Sequence, residues 1–316
     1  MNLDNLIQFT RALVQCPSLS GEEGAVAKRV EEEMLSLGYD RVTVDENGSV
    51  IGVIDGVMPG RTLLFDAHTD TVDVKSGVPW QHDPFSAMIE KGAIYGRGSA
   101  DMKGALAAMV YAASAIDRSK LRGRVVVSAS TLEEVLEGVA LHAVMDREMP
   151  DFVIIGESTN LNVSRGGRGR AEVHLETIGR PSHSSAPHLG KNAVLDMLTV
   201  IEAVEGLQLP EDPFMGPAIL ALTDIISDPY PGHSVIPSIC RVTYDRRLLP
   251  GETVEDVLGA ITSLPQVQTV QLRASIGVGE YAAYTGTVLQ CEKFFPAWLA
   301  SDEDWLVQRA LGGLHT

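Results

Sequence analysis

The 316-residue chain is poor in cysteine, short of positive charge and without a long hydrophobic run. Its three cysteines, Cys16, Cys240 and Cys291, are far apart and form no CxxC pair. That argues against a disulfide framework and a thiolate zinc site, and it fits a reducing compartment, with the cytoplasm as the expected location. No stretch approaches the roughly 18 consecutive apolar residues of a membrane-spanning helix. The N-terminus, MNLDNLIQFTRALVQC, carries an acid and an amphipathic pattern, and lacks the basic start and apolar run of a signal peptide. Lys and Arg number 25 against 42 Asp and Glu, a net charge of −17. Such a chain repels phosphate backbones and anionic membranes, and no local basic patch offsets this, so no nucleic-acid or membrane partner is expected. Internal repeats and low-complexity tracts are also missing. With 45% hydrophobic and 21% charged residues, the composition is that of a globular protein of roughly two domains.

The hydrophobic pattern separates two regions. An amphipathic helix over about 3–15 stops at Pro17, and Ser20-Gly21-Glu22-Glu23 reads as a capping box opening a second helix, with Ser20 as N-cap. Short β-rich runs at 41–44 and 50–54 flank the turn signal Asn47-Gly48. Buried strands are expected at 61–72, 124–131 and 152–156, alternating with helices at 103–116 and 139–146. Polar residues gather just past the strand ends, the layout of an open α/β sheet. From about Gly169 the order becomes strand 170–178, helix 192–206, strands 218–226 and 239–248, helix 253–264, strand 267–277. This βαββαβ order reads as a small inserted α+β domain. The expected division is 1–168 with 280–316 as the α/β domain, including a helix near 302–311, and 169–279 as the insert.

The strand ends carry the chemistry. They hold His68 and Asp70 (HTD), Asp101 (GRGSADMKG), Glu133 and Glu134 (TLEE), and Glu157 (IIGES). One imidazole with several carboxylates suits zinc, or manganese or cobalt, rather than calcium. Asp70 lies two residues from His68, so in an extended chain both point the same way and Asp70 can accept from the ring N–H turned away from a metal. Formal charge favours two divalent ions, balanced by Asp101, Glu134, Glu157 and a hydroxide. Glu133 is then the extra carboxylate, available as a general base. Each acid taken alone is more often a surface residue or helix cap, and a lone strand-end histidine is more often a satisfied polar group. Four separate strand ends carrying the right residues argue against coincidence.

These motifs resemble the dinuclear zinc deacylases and exopeptidases that include acetylornithine deacetylase, succinyl-diaminopimelate desuccinylase and glutamate carboxypeptidase. The matching stretches are PSLSGEE (17–23), LLFDAHTDTV (63–72), Trp80 with DPFSAMIEKGAIYGRGSADMKG (83–104), TLEEVLEG (131–138), IIGESTNL (154–161) and GRPSHSSAPHLGKNA (179–193). The segment PGHSVIPSICRVTYDRRLLPGET (231–253) looks closest to the selenium-metabolism-linked hydrolases. The resemblance implies a mixed sheet flanked by helices, with the insert as a ferredoxin-like lid and dimerisation domain. It implies one metal on His68, Glu157 and a bridging Asp101, and a second on Asp101, Glu134 and a later histidine. Glu133 is the implied general base, Asp70 the partner of His68, and the bond from Asp101 to Met102 a cis peptide. His183 (PSHSSAP) matches the lid histidine that helps stabilise the oxyanion, and Arg247 (YDRR) an arginine near the substrate carboxylate. Ser234 replaces an asparagine common in the family.

Family members run further than this chain, and His315, the one histidine after His233, does not match the family's final motif. The sequence reading therefore expects a truncated version of a longer enzyme, with a weak or empty second metal site and an uncovered sheet edge. Three functions are weighed. One is a homodimeric metal-dependent amidohydrolase acting on an N-acyl amino acid or short peptide. The second is a hydrolase using one metal. The third is a catalytically impaired metal-binding relative.

Overall fold

The computed structural model describes residues 2–74 and 79–314. His315 lies outside the described residues. The chain divides into two compact units, Met1–Asn162 with Gly279–Cys291, and Val163–Val278 with Glu292–Thr316.

The first unit begins with helix α1 (Leu3–Val14), capped by the Asn2 side chain, which accepts from the Asp4 and Asn5 amides. Helix α2 (Gly24–Ser36) follows. It starts later than the capping-box reading expects: Glu23 is its N-cap and makes no side-chain capping bond. Ser20 is drawn away because its hydroxyl donates to Asp70 (2.7 Å).

Strands β1 (Arg41–Val44) and β2 (Val50–Asp55) form the expected antiparallel hairpin. Gly48 takes φ +87°, and a Cβ there would sit 2.2 Å from the Tyr284 ring, so glycine is required by both conformation and space. Strands β3 (Met58–His68), β4 (Arg122–Ser130) and β5 (Phe152–Ile155) complete a mixed sheet in the order β1-β2-β4-β3-β5. Pairing of β3 with both β4 and β5 is parallel. Val125, Val127 and Ala129 face a core shared with α1, α2 and α3 (Gly104–Ser114), while Val126 and Leu64 face Leu141 and Val144 of α4 (Val139–Glu148). Burial on both faces explains why these strands read as continuous apolar runs. Strand β5 is an edge, and its Ile155 is exposed.

In the second unit, β6 (Gly169–Ile178), α5 (Ala193–Glu205), β7 (Ile219–Asp228), β8 (Ile239–Leu248), α6 (Val254–Thr262) and β9 (Leu272–Ile276) give the expected βαββαβ order. The four strands pair antiparallel in the order β7-β8-β6-β9, a ferredoxin-like arrangement. Both helices cover one face, through Met197, Val200, Val257 and Ile261 against Val173, Leu175, Val242 and Tyr244. The last strand is shorter than expected because Val267–Thr269 forms a 3-10 turn.

The end of the chain departs from expectation. Only Gly279–Cys291 joins the first unit, where Tyr284 Oη donates to the Gly48 carbonyl and Thr285 and Thr287 to that of Glu46. Residues from Glu292 onward belong to the second unit. The reason is backbone pairing: Phe294–Phe295 adds to β6, and Trp298–Leu299 pairs with Gly166–Gly167. The last helix is α7 (Trp305–Leu314). Among the described residues no helix is long and apolar enough to cross a membrane.

Candidate metal centre

His68 is the last residue of β3, paired with Ser130, the last of β4. Glu133 and Glu134 follow β4, and Glu157 follows β5. Asp101 occupies a wide turn over Ser99–Lys103, entered from Gly98 in the left-handed region (φ +76°), and the Asp101–Met102 peptide is cis. Parallel neighbours thus deliver their ends to one place. His68 Nε2 lies 3.0 Å from Asp101 Oδ1, 3.8 Å from Glu157 Oε1 and 3.9 Å from Glu133 Oε2. Two trios offer ligand atoms that all fall within 4.8 Å of one another: His68, Asp101 and Glu134, and His68, Glu133 and Glu157. All five residues expected at the metals or as general base are therefore gathered.

Asp70, fully buried, organises the group from behind. His68 Nδ1 faces the Asp70 carbonyl oxygen at 2.9 Å and the carboxylate Oδ1 at 3.5 Å. A carbonyl can only accept, so Nδ1 carries the proton and Nε2 is the atom offered to an ion. The Asp70 carboxylate also accepts the amides of Glu133 (3.0 Å) and Glu134 (3.1 Å) and the Ser20 hydroxyl. Burial disfavours its charge, but these bonds and His68 outweigh it and hold the carboxyl below its usual range. Sequence reasoning found Asp70 and missed Ser20, because a Ser three residues before a Glu has the same pattern whether it caps a helix or reaches across the fold. It also passed over Asp66, fully buried on the same face of β3 as His68, where it accepts from Ser128 and Ser130. Burial pushes Asp66 up to about 6.

The electrostatics fit a cation site. Burial raises Glu133 to about 8, with Glu157, Asp70 and Glu134 adding repulsion and His68 opposing it. Glu134 and Glu157 are raised as well, first by burial. Burial lowers His68, yet its bonds to Asp101 and Asp70 and the field of Glu133 take it up to about 11. The acids gathered around the imidazole make this a place that favours positive charge. One nitrogen and several oxygens at close range form a donor set that suits divalent zinc, cobalt or manganese.

The remaining two expected residues lie on the second unit. His183 is exposed, and its Nδ1 receives the Ser185 amide (3.1 Å). Arg247 is half-exposed on the strand face that carries no helix, with Nε on Asp245 Oδ1 at 2.8 Å. Arg170 holds the other oxygen of Asp245 (2.7 Å). Arg246 points the opposite way, is buried, and pairs with Glu252.

Comparison with known proteins agrees with this geometry. The profile of Peptidase family M20/M25/M40 matches residues 64–233. The chain is 34% identical to YgeY, an uncharacterized protein of Escherichia coli (strain K12), over 96% of this chain and 76% of that one. It is 30% identical to the succinyl-diaminopimelate desuccinylase of Dinoroseobacter shibae, over 82% of this chain and 72% of the relative. Its fold is similar to that of an M20 family metallo-carboxypeptidase from Sulfolobus solfataricus (TM-score 0.71, 20% identity, 100% of this chain and 84% of that one). The chain therefore belongs to Peptidase family M20/M25/M40 and is a metal-dependent hydrolase of amide or peptide bonds.

Proposed function

We propose that the protein hydrolyses the amide bond of an N-acyl amino acid or a short peptide with a free carboxylate, with Glu133 as the general base. The observation that carries this is the convergence of His68, Asp101, Glu133, Glu134 and Glu157 around one point. His68, Asp101 and Glu157 would hold one divalent ion, zinc in the first instance, and Asp101 with Glu134 would hold the second. Bound ions would supply Lewis acidity for the carbonyl and a lowered pKa for water. Glu133 is the best-placed carboxyl to take and return a proton. It borders the ligand atoms, within reach of a water held there. Asp70 keeps His68 in one tautomer and orientation.

The second unit supports binding and charge stabilisation. A backbone N–H donating to His183 Nδ1 requires the proton to sit on Nε2, which makes that atom a donor for an oxyanion. Asp245 takes the Nε side of Arg247, leaving the Nη groups for a planar carboxylate. Both assignments rest on motif resemblance together with these local contacts.

The test is turnover of a panel of N-acyl amino acids and dipeptides by chelator-stripped protein, before and after adding zinc, cobalt or manganese. We expect no turnover without metal and recovery with at least one of them. Turnover indifferent to chelation would overturn the proposal. Among the described residues, with His68 given to the first ion, Asp101 and Glu134 are the donors grouped at the second, fewer than a zinc site usually takes. We therefore expect metal analysis to find the first site filled at lower free metal than the second. If only one site ever fills and turnover still recovers, the single-metal reading is the correct one.

We further propose that the second unit makes a homodimer through β7. This edge strand exposes Leu222, Ile225 and Ile226, and α5 exposes Leu195 and Leu198. Val194, Ile225, Ile226, Tyr230 and Cys240 line a cleft of about 440 Å³ between them. The outer edge of such a strand, beside apolar side chains, is a ready surface for a second, two-fold-related copy. Sedimentation should give a dimer for the parent chain and a monomer for Ile225→Lys with Leu198→Glu. An unchanged mass for that double variant would remove this surface from consideration.

A further inference from the structure

The connection between α1 and α2, residues 16–23, touches three of the four segments that carry the metal-centre residues. The Cys16 carbonyl accepts from buried Lys103 Nζ (2.7 Å), two residues past Asp101. Ser18 grips both neighbours of Asp70: its hydroxyl donates to the Thr69 carbonyl (2.7 Å), and its carbonyl accepts the Thr71 amide (2.8 Å). Ser20 reaches Asp70 itself. Glu23, with no exposed surface, accepts the Leu132 amide at 3.1 Å.

Leu132 immediately precedes Glu133 and Glu134, and it is strained. Its φ is +58°, the left-handed region that a residue with a side chain avoids, and that side chain is fully buried. This twist turns the chain at the end of β4 so that the next two amides meet the Asp70 carboxylate. Strained backbone near a site persists only where its surroundings over-determine it. The contact that acts on the Leu132 N–H is Glu23. Without it, a buried amide would lack its acceptor, and the turn could relax toward right-handed backbone.

We propose that Glu23 is a positioning residue for the hydrolysis, holding the left-handed turn at Leu132 that aims Glu133 and Glu134 at His68. Its link to catalysis rests on the assignment of Glu133 as base, whereas its effect on the backbone does not.

The test compares Glu23→Leu, which has similar bulk and no acceptor, with Glu23→Gln, which keeps a carbonyl of the same reach. Amide hydrogen exchange on the metal-free full chain is the primary readout. In Glu23→Leu, the amides of Leu132, Glu133 and Glu134 should exchange more than tenfold faster, with β4 and α4 within threefold of the parent. In Glu23→Gln, all should stay within threefold. Under metal saturation, Glu23→Leu should lower kcat more than tenfold with KM within threefold, and Glu23→Gln should restore kcat. Unchanged local exchange in folded Glu23→Leu, or acceleration spread evenly over the first unit, overturns the proposal. Should Glu23→Leu not fold, Glu23→Gln decides. Protection within threefold supports the proposal, and a loss above tenfold confined to residues 132–134 overturns it. If exchange behaves as expected while Glu133→Ala keeps its activity, the base assignment fails and the positioning role stands.

Discussion

Glu133→Ala is expected to lower kcat by roughly 10²–10⁴-fold while leaving metal content unchanged. Glu133 sits on the same turn as Glu134, but the two carboxyls meet different neighbours. Glu134 groups with Asp101 and His68, and Glu133 with Glu157 and His68. Counting charge, two divalent ions would be balanced by Asp101, Glu134, Glu157 and a hydroxide, and Glu133 would then be surplus to ligation. Its removal should spare the metals and take away the proton acceptor. Steady-state kinetics on the best-hydrolysed N-acyl amino acid, beside elemental analysis of the same preparation, measures both quantities. Survival of kcat sinks the assignment. Loss of metal together with activity makes Glu133 a ligand instead.

Asp70→Ala should have the widest consequences of any single change. The Asp70 carboxylate faces the imidazole of His68 and accepts the amides of Glu133 and Glu134 and the hydroxyl of Ser20, all in a buried setting. Removing the group that orients a metal-bound histidine typically costs about 10–100-fold in metal affinity. It also strands buried donors, each costing about 1–3 kcal/mol and not simply additive. We expect metal affinity to fall by that factor in a competitive chelator titration, and the metal-free chain to lose about 3 kcal/mol in urea unfolding. Affinity within twofold of the parent would show that His68 is oriented by the Asp70 backbone carbonyl alone, which the substitution leaves in place.

Much of this molecule was legible as sequence. Two-sided apolar runs marked β3 and β4 because their neighbours bury both faces, and β5 was marked by its apolar run alone, since it is a half-buried edge. Asn47-Gly48 marked a hairpin because glycine alone suits φ +87° beneath Tyr284. The second unit came out in its observed order because each element there has its own period and length. Ser20 and Glu23 were misread because a capping box is a local pattern, and these side chains instead serve partners about 50 and 109 positions away. Residues from Glu292 group with the second unit rather than, as the sequence suggests, with the first, because strand addition by Phe294–Phe295 depends on an open place beside β6, which no local pattern encodes.

By itself, then, the order of residues determined which elements form and which chemical groups stand at their ends, since helix and strand periods, turn residues and ligand types are properties of neighbours along the chain. Only the tertiary structure decided that His68, Asp101, Glu133, Glu134 and Glu157 meet. Parallel pairing sets the ends of β3, β4 and β5 side by side. A left-handed turn at Leu132 and the carboxylate of Asp70 then hold Glu133 and Glu134 toward His68. Like charges held this close repel, and the burial of the network behind them is what keeps them in place.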